Sequence, residues 1–142
     1  MTRVDFYVLP AADDRSRQQF ACRLAEKAYR LNNTIHIRTT DSRATEVLDE
    51  LLWTYRDGSF VPHEIANASG AEPQSPITIG HADSPRHQTD LMINLSEQVP
   101  AESASFPRVA EIVTSDEAAR QQSRKRYAQY RDLGHTLETH KI

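Results

Sequence analysis

Four residues near the end of the chain, Arg120, Arg124, Tyr127 and Arg131, recur at i, i+4, i+7 and i+11. On a helix this spacing puts three guanidiniums and one phenol ring on a single stripe. The chemistry offered is anion recognition. Guanidinium forks pair with carboxylates or phosphates, and an aromatic wall beside them takes up an apolar group. Arg120 and Arg124 are like charges one turn apart, which costs roughly a few tenths of a kcal/mol in an isolated helix. An anion lying along the stripe reverses that sign. The plain alternative is a solvated basic face, which is what most charge runs are.

Other chemistries find less support. Dinucleotide and nucleotide sites need glycines at a strand-to-helix turn, so that the backbone can approach phosphates. The first such turn here is LPAADDRSR (Leu9–Arg17), with no glycine and with Asp13 and Asp14 where a phosphate would be repelled. The four glycines, Gly58, Gly70, Gly80 and Gly134, do not open a helix after a strand. A small nucleotide-utilising α/β enzyme is therefore the disfavoured alternative. The histidines, His36, His63, His81, His87, His135 and His140, show no H-x-x-x-H pair, and a single cysteine excludes C-x-x-C. His81, Asp83 and His87 share one loop, either as contacts for a surface ion or as an ordinary polar loop. No G-x-S-x-G elbow marks a nucleophile. No catalytic residue, metal or cofactor is expected.

A second cluster is aromatic. Trp53 and Tyr55 end a helical pattern, and Phe60, Val61 and Pro62 follow in a loop. Large aromatics beside loops are either core plugs or anchors for a protein partner.

The elements that position these groups read as follows. Arg3–Leu9 (RVDFYVL) is a buried strand, closed by Pro10. A helix over Arg15–Leu31 carries Phe20, Leu24, Ala28 and Leu31 on one face, with Cys22 on the flank as a filler thiol. Thr34–Arg38 is a strand, and Asp41 or Ser42 caps a helix over Ala44–Trp53 with Ala44, Val47, Leu48, Leu51 and Leu52 inward. Thr54–Pro76 is irregular. Ile77–Gly80, Thr89–Leu95 and Arg108–Val113 are strands. The last helix spans Asp116–Gly134, with Thr114 and Glu117 at capping-box spacing, a core seam of Ala119, Ser123, Tyr130 and Leu133, and Gly134 as its stop. The β-α-β-α opening argues for a mostly parallel, Rossmann-like sheet flanked by helices, without a phosphate loop.

At 142 residues the chain suits a single domain, residues 1–142. Its net charge of -3 argues against a general nucleic-acid binder. Its apolar runs fall far short of a membrane span. The opening MTRVDFYVLP goes straight into a strand pattern without signal-peptide anatomy, and the lone Cys22 fits a reducing cytoplasm.

The block RKRYAQYRDLG, with LDELLW, GSFVPH and the opening VDFYVL in the same order and over essentially the whole chain, resembles the chi subunit of the bacterial DNA polymerase III holoenzyme. The resemblance implies a non-catalytic adaptor of the clamp loader with two protein partners. It assigns Trp53 and Phe60 to the surface that docks the psi subunit, with Val61 and Pro62 either beside them or in the core. A helicase competing with psi belongs to the same set of partners. It assigns Arg120, Arg124 and Tyr127 to binding of the acidic C-terminal tail of single-stranded-DNA-binding protein. The chain departs from the family pattern at Ala128, where a basic residue is expected after the tyrosine, so part of the charge falls to Lys125, Arg126 or Arg131.

Overall fold

Strands and helices alternate along the chain, because short β-branched runs are each followed by a segment of helical period. A computed structural model describes residues 2–56, 58, 60–66, 75–81 and 89–142. Its elements are β1 (Arg3–Val8), α1 (Asp14–Arg30), β2 (Ile35–Arg38), α2 (Ser42–Thr54), β3 (His63–Ile65), β4 (Ile77–Gly80), β5 (Leu91–Asn94), β6 (Arg108–Val113), α3 (Glu117–Asp132) and β7 (Thr136–Lys141), with a 3-10 turn at Ser103–Ser105. The strands form one sheet in the order β3-β4-β2-β5-β6-β1-β7, and every neighbouring pair is parallel. The Rossmann-like expectation is met. No helix among the described residues is long and apolar enough to cross a membrane.

Helices lie on both faces of the sheet, so its central strands read as continuous apolar runs. α1 and α2 cover one face over Ile35, Ile37, Ile77, Ile79, Ile93 and Ile112. α3 covers the other, where Tyr130 meets Val4, Phe6, Met92 and Val109, with Phe106 closing the side.

The inward faces of the helices differ in detail from the sequence expectation. α1 contacts the sheet through small residues, Ala21, Cys22, Ala25 and Ala28. Phe20 and Leu24 pack only at the margin, and Leu31, beyond the helix end, is 67% exposed. Small side chains let the helix backbone approach the strands, which a row of large ones would prevent. Cys22 is therefore in the core and not on the flank, and burial pushes its thiol up to about 12. In α2 the buried residues are Thr45, Leu48, Leu51 and Leu52, while Val47 turns outward. Asp41 caps this helix, accepting from the Ala44 amide at 2.8 Å.

In α3 the capping box does not form. Asp116 is the N-cap and accepts from the Ala119 amide at 3.2 Å, and the Thr114 hydroxyl donates to the Asp116 carboxylate. The stop at Gly134 is as expected. Its φ of +84° lets its amide donate to the Arg131 carbonyl at 3.0 Å and the His135 amide reach the Tyr130 carbonyl at 3.2 Å, the paired bonds of a Schellman end.

Two strands escaped the sequence reading. β3 lies inside the segment expected to be irregular, and β7 follows the last helix. Both are sheet edges. β7 (TLETHK) is mostly exposed, so it has no apolar face to announce it. The expected loop across Ala68–Pro76 and the His81, Asp83, His87 grouping fall largely outside the described residues.

One buried group makes the fold sensitive to acid. His36, in β2, is fully buried, with Nδ1 2.8 Å from the Thr78 hydroxyl, its ring stacked on Phe106 and no hydrogen-bond partner for Nε2 among the described residues. Burial and, after it, nearby Arg38 push its pKa down from 6.5 to about 4. The unfolded chain then binds the extra proton between these values, so stability is full above pH 6.5 and is lost as pH falls towards 4. A decrease of about 2 kcal/mol between pH 7.5 and pH 5 is expected in urea unfolding. His36→Gln should flatten that slope, and an equal slope in the variant would refute the assignment.

Candidate docking sites on two faces

The stripe on α3 is fixed by a buried ionic group. Arg126 is 6% exposed and its Nε donates to Glu111 Oε1 at 3.0 Å, while its Nη1 reaches the Glu97 carbonyl at 3.2 Å. Glu111, in β6, is fully buried and also accepts from the Tyr130 hydroxyl at 2.6 Å and Asn94 Nδ2 at 2.7 Å. Burial and the Glu111 carboxylate hold the Tyr130 phenol well above its ordinary pKa. The seam that faces the sheet is thus Ala119, Ser123, Arg126 and Tyr130, and Leu133, expected in it, is 59% exposed at the helix end. Arg126 is removed from the residues able to replace the charge missing at Ala128.

With that seam inward, Arg120, Arg124 and Arg131 stand about a quarter turn away, in solvent. Arg124 has only a long ion pair, 3.8 Å to Glu117, with both side chains more than two-thirds exposed. Arg131 lies 3.7 Å from Asp132 in a similar exposed pair. Arg120 has no ion pair among the described residues. Tyr127 sits between stripe and seam. Its ring packs on Phe6 of β1 at 5.3 Å between centroids, and 38% of the residue remains exposed. A ring fixed on one side and open on the other is a rigid wall beside exposed cations. Such a surface can hold carboxylates with an apolar group against the ring.

The aromatic cluster lies across the molecule, where α2 packs on β3 and β4 at the opposite edge of the sheet. Trp53 is 49% and Phe60 68% exposed, with their rings 5.5 Å apart. Trp53 also packs on His63 of β3 at 4.5 Å. The His63 ring is held between the carbonyls of Val61, 2.7 Å from Nδ1, and Asp49, 3.0 Å from Nε2. His63 is the supporting residue that sequence reasoning missed, because β3 itself was missed. Gly58, at φ +74°, turns the chain between the two aromatics. Val61 is fully buried in the core, and so does not belong to the exposed surface; Pro62 is half-buried at its margin.

The carboxyl ends of the strands, where α/β sheets usually bind nucleotides, carry a protein group instead. Arg17 of α1 donates from Nε to the Ile112 carbonyl at 3.0 Å and from Nη1 to the Leu95 carbonyl at 3.2 Å. No cluster of metal-ligating side chains occurs among the described residues.

The family described as DNA polymerase III chi subunit, HolC, matches residues 1–138. A DNA polymerase III subunit chi of Pseudomonas aeruginosa is 39% identical over 142 residues, covering 100% of this chain and 98% of its own. The subunit chi of Haemophilus influenzae is 31% identical over 138 residues, 96% of this chain and 95% of its own. That of Escherichia coli is 28% identical over 123 residues, 86% and 83% of the two chains. With that family matched over residues 1–138 and relatives above 30% identity along nearly the whole chain, the chain belongs to the DNA polymerase III chi subunit family.

Proposed function

We propose that this chi-family chain is a non-catalytic, cytoplasmic adaptor of the replicative clamp loader. Trp53 and Phe60 hold the psi subunit, with Pro62 at the rim, and Arg120, Arg124 and Tyr127 hold the acidic C-terminal tail of single-stranded-DNA-binding protein. The observation that carries this reading is the separation of the two surfaces. One is apolar and aromatic on α2 and the loop beside β3, the other cationic on α3, on opposite faces and near opposite edges of the sheet. Two contacts that do not compete convert the second binding event into an intramolecular one and raise the effective concentration of the polymerase at coated single strands. Arg17 across the strand ends speaks against the alternative nucleotide-using enzyme.

Phe60→Ala tests the aromatic half. An exposed side chain contributes little to folding, so the loss of stability should stay near 0.5 kcal/mol or below, roughly the level of surface substitutions. A central aromatic anchor contributes about 2 kcal/mol or more to binding, so affinity for psi should drop roughly thirtyfold. Thermal unfolding beside titration with psi decides it. Unchanged psi affinity would remove Phe60 from the interface.

A further inference from the structure

The face opposite α3 carries a second cationic surface. Arg23, Lys27 and Arg30 recur at i, i+4 and i+7 on α1, all exposed, and Arg56, beyond the end of α2, joins them around a hollow of about 270 Å³. The carboxylate in its lining, Glu26, is 7% exposed and fully engaged. It accepts from the Tyr55 hydroxyl at 2.6 Å, from Arg56 at 2.8 Å and from Arg30 at 3.2 Å. Solvent therefore meets the cations and not the anion. Arg23 and Lys27 have no ion pair among the described residues, and Arg23 lies over the Phe20 ring at 5.7 Å.

Lys27 and Leu31 also line a second hollow of about 260 Å³, walled by Leu24, Ala28 and Leu91, with Arg108 at its rim. Two carboxylates line it: Asp5 is 2% exposed and already bonded to Arg3, Arg108 and His140, and the exposed Asp90 accepts from the Thr34 amide at 2.8 Å and the Thr34 hydroxyl at 3.2 Å. Burial alone would raise the pKa of Asp5, but its three partners hold it below the usual carboxylate range. Leu31 thus stands 67% exposed on the ridge between two hollows, an apolar group that shares one of them with Arg23 and Lys27 and the other with Lys27 and Asp90.

This combination selects a class of partner. Arg30, Arg56 and Arg108 are answered by Glu26 and Asp5, which leaves Arg23 and Lys27 to meet carboxylates or phosphates from outside. Single-stranded nucleic acid needs an open aromatic platform for its bases as well. The aromatics of this face already have partners: Tyr7, at the wall of the second hollow, stacks on His140 and meets Phe20 at a tilt, and Tyr29 packs against the core. The net charge of -3 also opposes a long polyanion. The apolar hollow beneath Leu31 suits a side chain of a peptide.

We propose that the α1 face is a second docking surface for an acidic peptide segment. Its carboxylates lie on Arg23 and Lys27, and an apolar side chain sits beside Leu31 in the hollow walled by Leu24 and Leu91. This surface is separate from α3, so its existence does not depend on the tail-binding assignment.

The test uses the full chain carrying Arg124→Ala, which disables the α3 stripe. The probe is a labelled Asp-Asp-Leu-Asp-Phe peptide with an amidated end, and a short oligothymidylate is the competitor class. Saturable binding should shift backbone amides between Arg23 and Leu31 in NMR spectra. Arg23→Glu with Lys27→Glu should weaken it by about tenfold or more without moving the melting temperature. If that double variant fails to fold, Arg23→Gln with Lys27→Gln serves instead, with a smaller loss in the same direction. Equal affinity in either folded double variant would overturn the proposal. So would amide shifts confined to α3, preference for the oligothymidylate, or self-association through this face in sedimentation.

Discussion

Arg126→Ala is expected to cost about 3–5 kcal/mol of stability, the range for removing one partner of a buried ion pair. The reason lies in what is left behind. Glu111 has no exposure and accepts three hydrogen bonds, of which only those from Tyr130 and Asn94 survive the substitution. Replacing both members, Glu111→Gln with Arg126→Met, should restore part of the loss, because no buried charge remains. Against a total of roughly 5–15 kcal/mol for a typical domain, the single substitution is severe. Urea unfolding of the three proteins checks this. A loss under about 1 kcal/mol, the scale of exposed pairs, would mean that α3 is not fixed to the sheet by this group.

Arg124→Ala should do the reverse, leaving the fold nearly unaffected and disabling the tail site. Its pair with Glu117 is long and solvated, so stability should change by less than about 1 kcal/mol. A hydrogen bond to a charged group contributes about 1.5–3 kcal/mol, so affinity for the tail peptide should fall roughly ten- to hundredfold. The upper end of the range for desolvated pairs is out of reach, because the stripe lies on an exposed helix and keeps water on one side. The same exposure means that binding by the native protein weakens as salt rises.

Much of this arrangement was legible in the sequence. Eight of the elements came from pattern alone, because RVDFYVL, TIHIR, ITIG, TDLMINL and RVAEIV are apolar runs bounded by turn residues and the three helices keep a 3.6-residue repeat. The exposed stripe followed from the same repeat. What failed were residues whose type misstates their place. Arg126 reads as surface, yet it is in the core because Glu111 stands in the middle of a buried strand and a cation must meet it. The signal was present in RVAEIV, where one carboxylate interrupts an apolar run. Leu31 and Leu133 read as core, but each falls at a helix end, where the backbone turns away at Asn32 and at Gly134. β3 and β7 were invisible because edge strands are short or polar and need no buried alternation. The docking of α1 through alanines was also hidden, since small residues carry little weight in a hydrophobic pattern.

The central claim is that two partners are held at once on separate faces. Calorimetric titration of a single-stranded-DNA-binding-protein tail peptide into the native chain and into Arg124→Ala, each with and without bound psi, tests it most directly. The expected result is one tail site of the same affinity in the free protein and in the psi complex. Arg124→Ala should weaken the tail titration in both while psi binding stays unchanged. Loss of peptide binding on addition of psi, or undiminished affinity in Arg124→Ala, would contradict the account.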